Sequence, residues 1–391
     1  MMKGLDLLKN SYECVVIGGG VAGSTAAYHL TKLGYKVALI EKTQGPHHKV
    51  CGEFLSFESM VYLKEMGIQL DDDTPIIKHF KLFSPRSNTG FTFPSPGRGI
   101  SRYKLDEELL NNAKKIGADV FRGVCMRGTH EEGGGLIRIQ TNGNDFYARN
   151  LFIATGKYDH SKEYKRQGKD HSYLGFKTHF KFKSPCNDLK ETTILFSFPG
   201  GYGGICPVEN DTMNFCFVID KTIYRSLKGN FDSAVAYLRQ QNSKLDSILQ
   251  EASLMDSLCA ISYIPYGFLR YQNSIGNVYF LGDQRMVIPS FTGDGMAIAI
   301  STAKNCAYEF DHRQKGQGFQ SEPMQRILKK QMNWALMANT ILKSSWAIEM
   351  GLLIPPLSSF LIKTVYQKTR ITKTESIDYE PIAFENNYSR R

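Results

Sequence analysis

Hydrophobic residues near the start of the chain form a continuous run, then take helical spacing, and then form a second run. The first run, ECVVI at 13–17, has the pattern of a buried strand, and KVALIEK at 36–42 repeats it. Between them, STAAYHLTKLG at 24–34 places apolar or small residues three to four positions apart and stops at Gly34. This order predicts a strand–helix–strand unit at the N-terminus.

The turn between the first strand and the helix is rich in glycine. GGGVAG at 18–23 sets Gly18, Gly20 and Gly23 in the spacing G-x-G-x-x-G. The first glycine permits a tight turn, the second lets the backbone approach a pyrophosphate, and the third allows the helix to pack closely on the strand. Glu41 ends the second strand, where an acid accepts hydrogen bonds from a ribose diol. The unit therefore predicts a dinucleotide site.

Further along the chain, strand patterns and helix patterns alternate in blocks. The predicted elements are a helix starting within 101–110, a β-meander at 119–156, a nucleotide-type strand at 276–283, and helices at 295–310 and 318–350. Residues 175–275 are strand-rich, which predicts a second sheet inserted into the first domain. The predicted parts are a discontinuous nucleotide-binding domain at 1–174 and 276–315, a sheet domain at 175–275 and a helical region at 316–391.

Composition and charge narrow the classes of protein. The 391 residues are 42% hydrophobic and 22% charged, as in ordinary globular proteins. The formal net charge is +10, but the charges are spread along the chain, which favours a solvated basic surface. No basic motif interleaved with aromatic residues occurs, so we expect no nucleic-acid partner. Eight cysteines without a CxxC pair, and a start without a secretory pattern, predict reduced thiols in a cytoplasmic protein.

One apolar stretch near the C-terminus, GLLIPPLSSFLI at 351–362, bears on membrane contact. It is too short to span a bilayer and is interrupted by Pro355 and Pro356. Two interpretations remain open at this stage. The stretch packs as a helix on the body of the protein, which we favour, or it makes peripheral membrane contact, since several basic residues follow it.

Seven stretches, taken in order, point to one family. They are VVIGGGVAGSTAAYHL, LIEK, KVCGEFLS, SRYKLDEELL, LFIATG, FPGGYGGICPVE and VYFLGDQRMVIPSFTGDGM. This set resembles the FAD-dependent oxidoreductases of the para-hydroxybenzoate hydroxylase type, in the branch of the geranylgeranyl reductases and flavin-dependent halogenases. The resemblance implies an α/β (α+β) fold, with a Rossmann-like FAD-binding domain, an inserted mixed-sheet substrate domain and C-terminal helices.

The resemblance also implies which residues bind FAD. Beyond the N-terminal glycines and Glu41, these are Lys42, Arg102, Gly282, Asp283, Gly293, Asp294 and Gly295. Asp283 would bond a ribityl hydroxyl, and Arg102 the phosphate or ribityl region, unless Arg102 only pairs with Asp106 one helical turn away. The loop at Gly293 would start a helix whose N–H groups face the pyrimidine end of the flavin. We expect the Asp294 side chain to turn away from the ring or to bond backbone.

Other residues of the same stretches are candidates for catalysis and substrate contact. Cys51, in the segment that lines the flavin in this family, would donate a proton or shape the cavity; alternatively it is a small buried apolar residue. Glu53 is a second candidate acid and equally a candidate partner for a nearby lysine. Tyr202 and Pro289 are the candidate substrate contacts, with core packing as the alternative for Tyr202.

The predicted function is that of an FAD-dependent oxidoreductase acting on a lipophilic or aromatic small molecule. Two reactions remain open, reduction of a carbon–carbon double bond and monooxygenation through a flavin hydroperoxide. NADPH or NADH is the candidate electron donor, although the segment after LFIATG departs from the Asp-Gly motif of the aromatic hydroxylases. The tryptophan-rich signature of the tryptophan halogenases is absent. The alternative is a non-catalytic protein that holds flavin for binding or assembly.

Overall fold

The computed structural model describes residues 10–159, 165–166, 172–184, 186–317, 322–343, 345–352 and 355–371. Parts of the predictions lie outside these residues. They are 1–9, 160–164 and 167–171 of the nucleotide-binding domain, 185 of the sheet domain, 318–321 and 344 of the helix expected at 318–350, 353–354 of the apolar stretch, and the last twenty residues of the C-terminal region.

Nineteen strands and ten helices make up the described chain. The strands are β1 Ser11–Ile17, β2 Val37–Glu41, β3 Phe54–Leu55, β4 Ile76–Phe83, β5 Asn88–Gly99, β6 Asp119–Arg122, β7 Met126–Glu131, β8 Ile137–Thr141, β9 Phe146–Ile153, β10 Tyr173–Phe182, β11 Thr192–Phe198, β12 Gly201–Val208, β13 Thr212–Asp220, β14 Ala252–Leu254, β15 Cys259–Ile261, β16 Phe268–Leu269, β17 Ser274–Ile275, β18 Val278–Phe280 and β19 Met286–Val287. The helices are α1 Val21–Lys32, α2 Phe57–Glu65, α3 Arg102–Lys115, α4 Lys221–Ser226, α5 Phe231–Gln241, α6 Ser243–Gln250, α7 Gly295–Gln314, α8 Glu322–Lys343, α9 Ser345–Leu352 and α10 Pro355–Thr369.

The first sheet has the order β17-β18-β9-β1-β2-β6, with β8 pairing to β9 and β7 to β8. β1 lies parallel to β2 and β9, and β18 lies parallel to β9. The N-terminal strand–helix–strand prediction is confirmed by this pairing. Because these four strands run the same way, their carboxyl ends meet at one edge, where ligands of open α/β sheets bind. Helices α1 and α7 pack against each other next to this sheet.

The second sheet has the order β14-β10-β13-β12-β11-β4-β5-β3, with β15 beside β10. Its membership differs from the predicted boundaries, since β3, β4 and β5 come from the part of the chain assigned to the first domain. β4 pairs parallel to β11 across more than a hundred residues. The pattern of β5 is hard to recognise because it carries two prolines, and the β4–β5 ladder contains a bulge. Three helices, α4 to α6, also interrupt the stretch predicted to be strand-rich.

Three helices follow α7 and cover one end of the second sheet. α8 contacts β12, and α10 contacts α8 and β5. α10 begins at Pro355, a position where proline is tolerated because the first turn of a helix needs no N–H donor. Of the stretch at 351–362, the described part lies in α9 and α10, and α10 packs on the protein body through α8 and β5. Within the described residues, no helix combines the length and the hydropathy needed to cross a bilayer.

Candidate functional site

The glycine-rich turn leads from β1 into α1. Gly18 has a φ of +107°, and a Cβ there would lie 2.5 Å from the carbonyl oxygen of Ala154. A Cβ on Gly23 would overlap the carbonyl oxygen of Gly18, so only glycine allows this packing. Gly20 differs from these two, because the three atoms nearest to a Cβ built there belong to side chains. The nearest is the Lys49 ammonium at 3.4 Å. Gly20 is the N-cap of α1 and supplies no side-chain cap, so the turn presents uncapped N–H groups to a space bordered by a cation.

Glu41 ends β2 at the same edge of the sheet. It is buried, and its Oε2 accepts a hydrogen bond from the N–H of Gly19 at 2.7 Å. Burial opposes ionisation, but Lys49 and the bonds from Gly19 and Thr43 lower the pKa of Glu41, so it is a charged acceptor beside the turn. Lys42 is exposed, and its ammonium lies 4.2 Å from the ring centroid of Tyr158.

Two cations meet on Asp106 beside the turn. Arg102 donates to both carboxylate oxygens at 2.7 and 2.9 Å, and Lys49 donates to Oδ2 at 2.7 Å. The ion pair expected as the alternative role of Arg102 is therefore formed. Its guanidinium also lies next to the turn, since Nη2 is 3.6 Å from the Cβ position of Gly20. Arg102 and Lys49 can thus hold Asp106 and still offer donors to an anion at the N-terminus of α1.

Gly282 and Asp283 follow β18 at the same edge. Gly282 has a φ of +56°, and a Cβ there would lie 2.8 Å from the Cβ of Ala22 on α1. The Asp283 carboxylate is 3.3 Å from the ammonium of Lys157, and this attraction raises the pKa of Lys157. Asp283 is only half-buried, so its carboxylate keeps access to a hydroxyl group as well as to the lysine.

The loop from β19 to α7 turns at Gly293. Gly293 has a φ of +70°, and a Cβ there would lie 3.1 Å from Cδ1 of Phe54. By contrast, no atom of the described residues lies within 4 Å of a Cβ built on Gly295. Open space therefore borders the first residue of α7, whose N-cap makes no side-chain capping bond. A planar ring could approach the backbone here.

Asp294 lies between the two glycines and is fully buried. As expected, its side chain does not stay at the helix end: Oδ1 accepts a hydrogen bond from Nη1 of Arg370 at 2.5 Å. Nη2 of Arg370 also donates to the carbonyl oxygen of Thr292 at 3.1 Å. Burial raises the pKa of Asp294 to about 7, against the opposing effect of Arg370. The end of α10 thus fastens the loop that precedes α7.

A cavity of about 430 Å³ lies between the second sheet, this loop and the C-terminal helices. Most of its walls are aromatic and aliphatic. The side chains that line it include Phe80, Leu195, Val218, Ile264, Phe291, Trp334, Ile341 and Leu352. Cys51, Arg370 and Lys157 also line it, and Lys157 pairs with Asp283 at the edge of the first sheet. Such a mostly apolar cavity with a few polar groups is typical of a small-molecule site.

Two tyrosines and a serine form a hydrogen-bonded group at this cavity. The hydroxyl of Ser290 lies 2.7 Å from that of Tyr266 and 3.2 Å from that of Tyr202. Burial raises the pKa of both phenols, so they stay protonated at neutral pH. Tyr202 lines the cavity as the substrate prediction requires, whereas Pro289 is buried and is not among the described lining residues.

Cys51 lies at the cavity next to a buried charged cluster. The backbone N–H of Glu53 donates to Sγ of Cys51 at 3.4 Å. Glu53 is fully buried and bonds Nε2 of His179 at 2.7 Å and Nζ of Lys177 at 3.0 Å. Burial alone would raise the pKa of Glu53, but His179 and Lys177 outweigh burial and lower it. Glu53 is thus an ionised structural carboxylate, which argues against its predicted role as an acid. Glu53 is not one of the described residues that line the cavity.

Several residues of this region escaped the sequence-based prediction. They are Lys49, Lys157, Lys177, His179, Tyr266, Ser290 and Arg370. Lys157 directly follows LFIATG, and Lys49 opens KVCGEFLS, so their neighbouring motifs were a usable signal. Arg370 has no such signal, because it reaches Asp294 across 76 residues.

The residues present fit FAD. The space beside Gly20, with Lys49 and Arg102 at its border, suits a pyrophosphate, and Glu41 suits a ribose. The uncapped start of α7 suits the pyrimidine end of the flavin, where reduction places negative charge. FAD bound in this order would lie along one edge of the first sheet and end at the cavity.

Comparisons with known proteins agree with this arrangement. Residues 13–50 match the family described as FAD dependent oxidoreductase (DAO). Menaquinone reductase of Mycolicibacterium smegmatis is 28% identical over 37% of this chain and 37% of its own length. Digeranylgeranylglycerophospholipid reductase of Sulfolobus acidocaldarius is 29% identical over 37% of this chain and 34% of its own. The chain thus spans only about a third of the length of these two curated relatives.

Two further proteins match over most of the chain. A 1H-pyrrole-2-carbonyl-[peptidyl-carrier protein] brominase of Pseudoalteromonas luteoviolacea is 24% identical over 73% of this chain and 69% of its own length. The solved structure of the flavin-dependent brominase Bmp2 has a TM-score of 0.76 at 17% identity and covers 91% of this chain and 93% of its own. At this identity the structural likeness establishes the fold alone.

The class of protein follows from the fold, the site and these relatives together. Residues 13–50 match the FAD dependent oxidoreductase family, and parts of the chain are similar in sequence to a menaquinone reductase, a digeranylgeranylglycerophospholipid reductase and a brominase. The resemblance and the fold class drawn from the sequence are thereby confirmed.

Proposed function

We propose that this protein is an FAD-dependent enzyme that reduces a carbon–carbon double bond in a lipophilic small molecule. The observation that carries the proposal is the cavity of about 430 Å³, whose walls are mostly apolar and whose few polar groups include Cys51 and the tyrosine–serine group. An apolar wall favours an apolar substrate, because binding removes hydrophobic surface from water.

Reduction of a double bond adds a hydride to one carbon and a proton to the other. Reduced FAD, when bound, would supply the hydride, and NADPH or NADH would supply the electron pair to the flavin. The chain's own part is to place the double bond, exclude water and deliver the proton. Cys51 is the proposed proton donor, because its thiol lies at the cavity. The other candidate acid, Glu53, is instead paired with Lys177 and His179.

A second candidate is an oxygen-dependent reaction on the same substrate class. It is favoured by the relationship to a brominase over 73% of the chain and by a cavity that would keep water from a reactive oxygen species. A protein that only holds flavin is the remaining alternative. The two enzymatic proposals differ in one requirement, since only the second consumes oxygen.

The test is a single-turnover reaction of the FAD-loaded protein. The flavin is reduced without oxygen by NADPH, NADH or dithionite, and a polyprenyl lipid without a redox-active ring is then added. We expect the flavin to reoxidise anaerobically and the product to gain two hydrogen atoms. Reoxidation that requires oxygen, with substrate-stimulated oxygen uptake, would assign the second candidate. No reoxidation under either condition would support the flavin-holding protein.

Cys51→Ala tests the proton donor in the same assay. Loss of a positioned general acid lowers a rate by about a hundredfold or more, so we expect that reduction in the reoxidation rate with FAD content unchanged. Cys125→Ser is the matched control, because Cys125 is another half-buried free thiol and lies in the turn between β6 and β7. Equal rates for Cys51→Ala and wild type would transfer the role to Tyr266, to be tested as Tyr266→Phe.

A further inference from the structure

Three side chains belong both to the cavity and to the surface. Met337 and Ile341 on α8 and Leu361 on α10 line the cavity, yet they are 48%, 46% and 46% exposed. These side chains place a mouth of the cavity between α8 and α10, where the cavity meets the solvent.

The rim of this mouth is apolar. Phe360 directly precedes Leu361 and is 65% exposed, the largest exposed fraction among the large hydrophobic residues of the described chain. We call Met337, Ile341, Phe360 and Leu361 the mouth patch. Single exposed apolar residues are common on soluble proteins, but a group of four around the opening of an apolar cavity marks a contact surface.

Charges around the mouth patch have one dominant sign. Residues 337–371 contain three lysines and a single acid, Glu349, besides Arg370, which is buried and paired with Asp294. The carboxylate of Glu349 accepts hydrogen bonds from the backbone N–H of Arg86 and the hydroxyl of Ser87, so it is engaged locally. Lys343, Lys363 and Lys368 are all exposed. Lys363 lies three residues after Phe360, which puts it on the same face of α10.

We propose that the mouth patch docks on an anionic lipid surface and that the substrate enters the cavity directly from it. Apolar side chains would enter the acyl boundary while the lysines contact the headgroups, which is how helices lie on a membrane without spanning it. The docking depends on the surface alone, whereas substrate entry rests on the function proposed above. The arrangement spares a lipophilic substrate the passage through water.

Vesicle binding tests the docking. The FAD-loaded protein is mixed with large unilamellar vesicles of phosphatidylcholine alone or with phosphatidylglycerol, and the bound fraction is measured by flotation. We expect binding to the anionic vesicles that weakens as salt is raised. Phe360→Ser with Leu361→Ser should lower the partition coefficient about tenfold or more, because two large apolar side chains no longer enter the lipid. Lys363→Gln with Lys368→Gln should lower it only for anionic vesicles.

The matched control is Leu254→Ser with Leu258→Ser, since these leucines are 47% and 50% exposed but lie on the sheet domain away from the mouth. This control should bind vesicles as wild type does. Absence of vesicle binding by the wild type overturns the proposal. So does an equal loss of binding in the control and in Phe360→Ser with Leu361→Ser. A change in oligomeric state of Phe360→Ser with Leu361→Ser, measured by light scattering, would instead assign the patch to a second copy of the chain. FAD content and anaerobic reduction are scored separately, so failure of docking is distinct from failure of the proposed function.

Discussion

Asp294 occupies the start of a helix, where an aspartate normally caps the first turn, but here it caps nothing. Its carboxylate instead meets Arg370, and the Oδ2 atom has no hydrogen-bond partner among the described residues. The α7 backbone therefore keeps its N–H groups for another acceptor. A charged carboxylate next to an anionic reduced flavin would be unfavourable, and the raised pKa of about 7 lowers that cost.

The pH dependence of stability should reveal this protonation. Asp294 has a pKa of about 7 in the folded protein, against an ordinary value of 3.8 for an aspartate in an unfolded chain. Its stabilising contribution is full below about pH 4 and is lost as the pH rises to 7, because the folded protein then holds a proton that the unfolded chain releases. We expect Asp294→Asn to gain stability relative to wild type by about 1 kcal/mol per pH unit across this window.

The measurement is chemical denaturation of both proteins without FAD at several pH values between 4 and 8. Asparagine keeps the size of the side chain and an acceptor for Arg370. The quantity that tests the prediction is therefore the change with pH of the difference in stability between the two proteins, and a constant difference carries no information. If the stability of the wild type instead rises relative to that of the variant as the pH increases, Arg370 keeps the Asp294 carboxylate ionised across this range.

At the scale of elements, the β1–α1 turn separates two demands on glycine. Gly18 and Gly23 are required by backbone geometry, whereas Gly20 has φ −82° and an open side. Gly20→Ala should therefore leave the stability of the FAD-free protein almost unchanged, since alanine adopts this conformation freely. It should lower FAD affinity at least about tenfold, because the methyl group occupies the approach of the pyrophosphate to the backbone.

FAD dissociation constants from fluorescence and FAD-free melting temperatures check this expectation. Gly45→Ala is the control, because a Cβ there meets no described atom within 4 Å and Gly45 has no positive φ. Unchanged FAD affinity in Gly20→Ala would place the pyrophosphate elsewhere.

Strands and helices were predictable where a short stretch of sequence contains both the element and the element that packs against it. The unit from β1 to β2 is such a case, because strand, turn, helix and acid lie within about thirty residues. β4 was not, since its partner β11 lies more than a hundred residues away and its neighbour β5 contains prolines. Helices α4 to α6 were hidden by the strongly strand-like sequences around them. Pairings of this kind depend on burial in the final sheet, which no local pattern encodes.

The candidate site divides in the same way. The glycine turns and Glu41 follow from chain geometry at one sheet edge and were predicted with their positions. Arg370 and Lys177 were not predicted, because each pairs with a carboxylate that is distant in sequence. Arg370 pairs with Asp294, and Lys177 pairs with Glu53. A lone basic residue in a helix or strand gives no sign of its partner.

At the scale of the whole molecule, Glu53 connects the second sheet to helix α3. It bonds Lys177 and His179 on β10 and the backbone N–H of Arg102 at the start of α3. Glu53→Gln should lower the free energy of unfolding by about 3 kcal/mol, because Lys177 would keep a buried charge without its partner. Glu53 has a φ of +57°, and glutamine has the same shape and keeps the same backbone strain, so the change isolates the charge.

Urea denaturation of Glu53→Gln, Lys177→Met and the double variant measures the coupling. The double variant should recover much of the loss, because it buries no unpaired ammonium. Additive losses in the double variant would show that Lys177 is stabilised by other groups, such as Nδ1 of His48 at 3.3 Å.

The pair between Arg370 and Asp294 also has a consequence for synthesis of the chain. The glycine-rich turn, Glu41 and Arg102 leave the ribosome early, whereas Asp294 waits for a partner 76 residues later. At about 5 to 20 residues per second, that interval lasts roughly 4 to 15 s. During it the nascent chain can hold the adenine half of the dinucleotide while the loop for the flavin ring is still unfastened. A stop codon in α10 would therefore yield a protein that keeps the residues of its nucleotide-binding edge but lacks the Arg370 contact to the loop before α7.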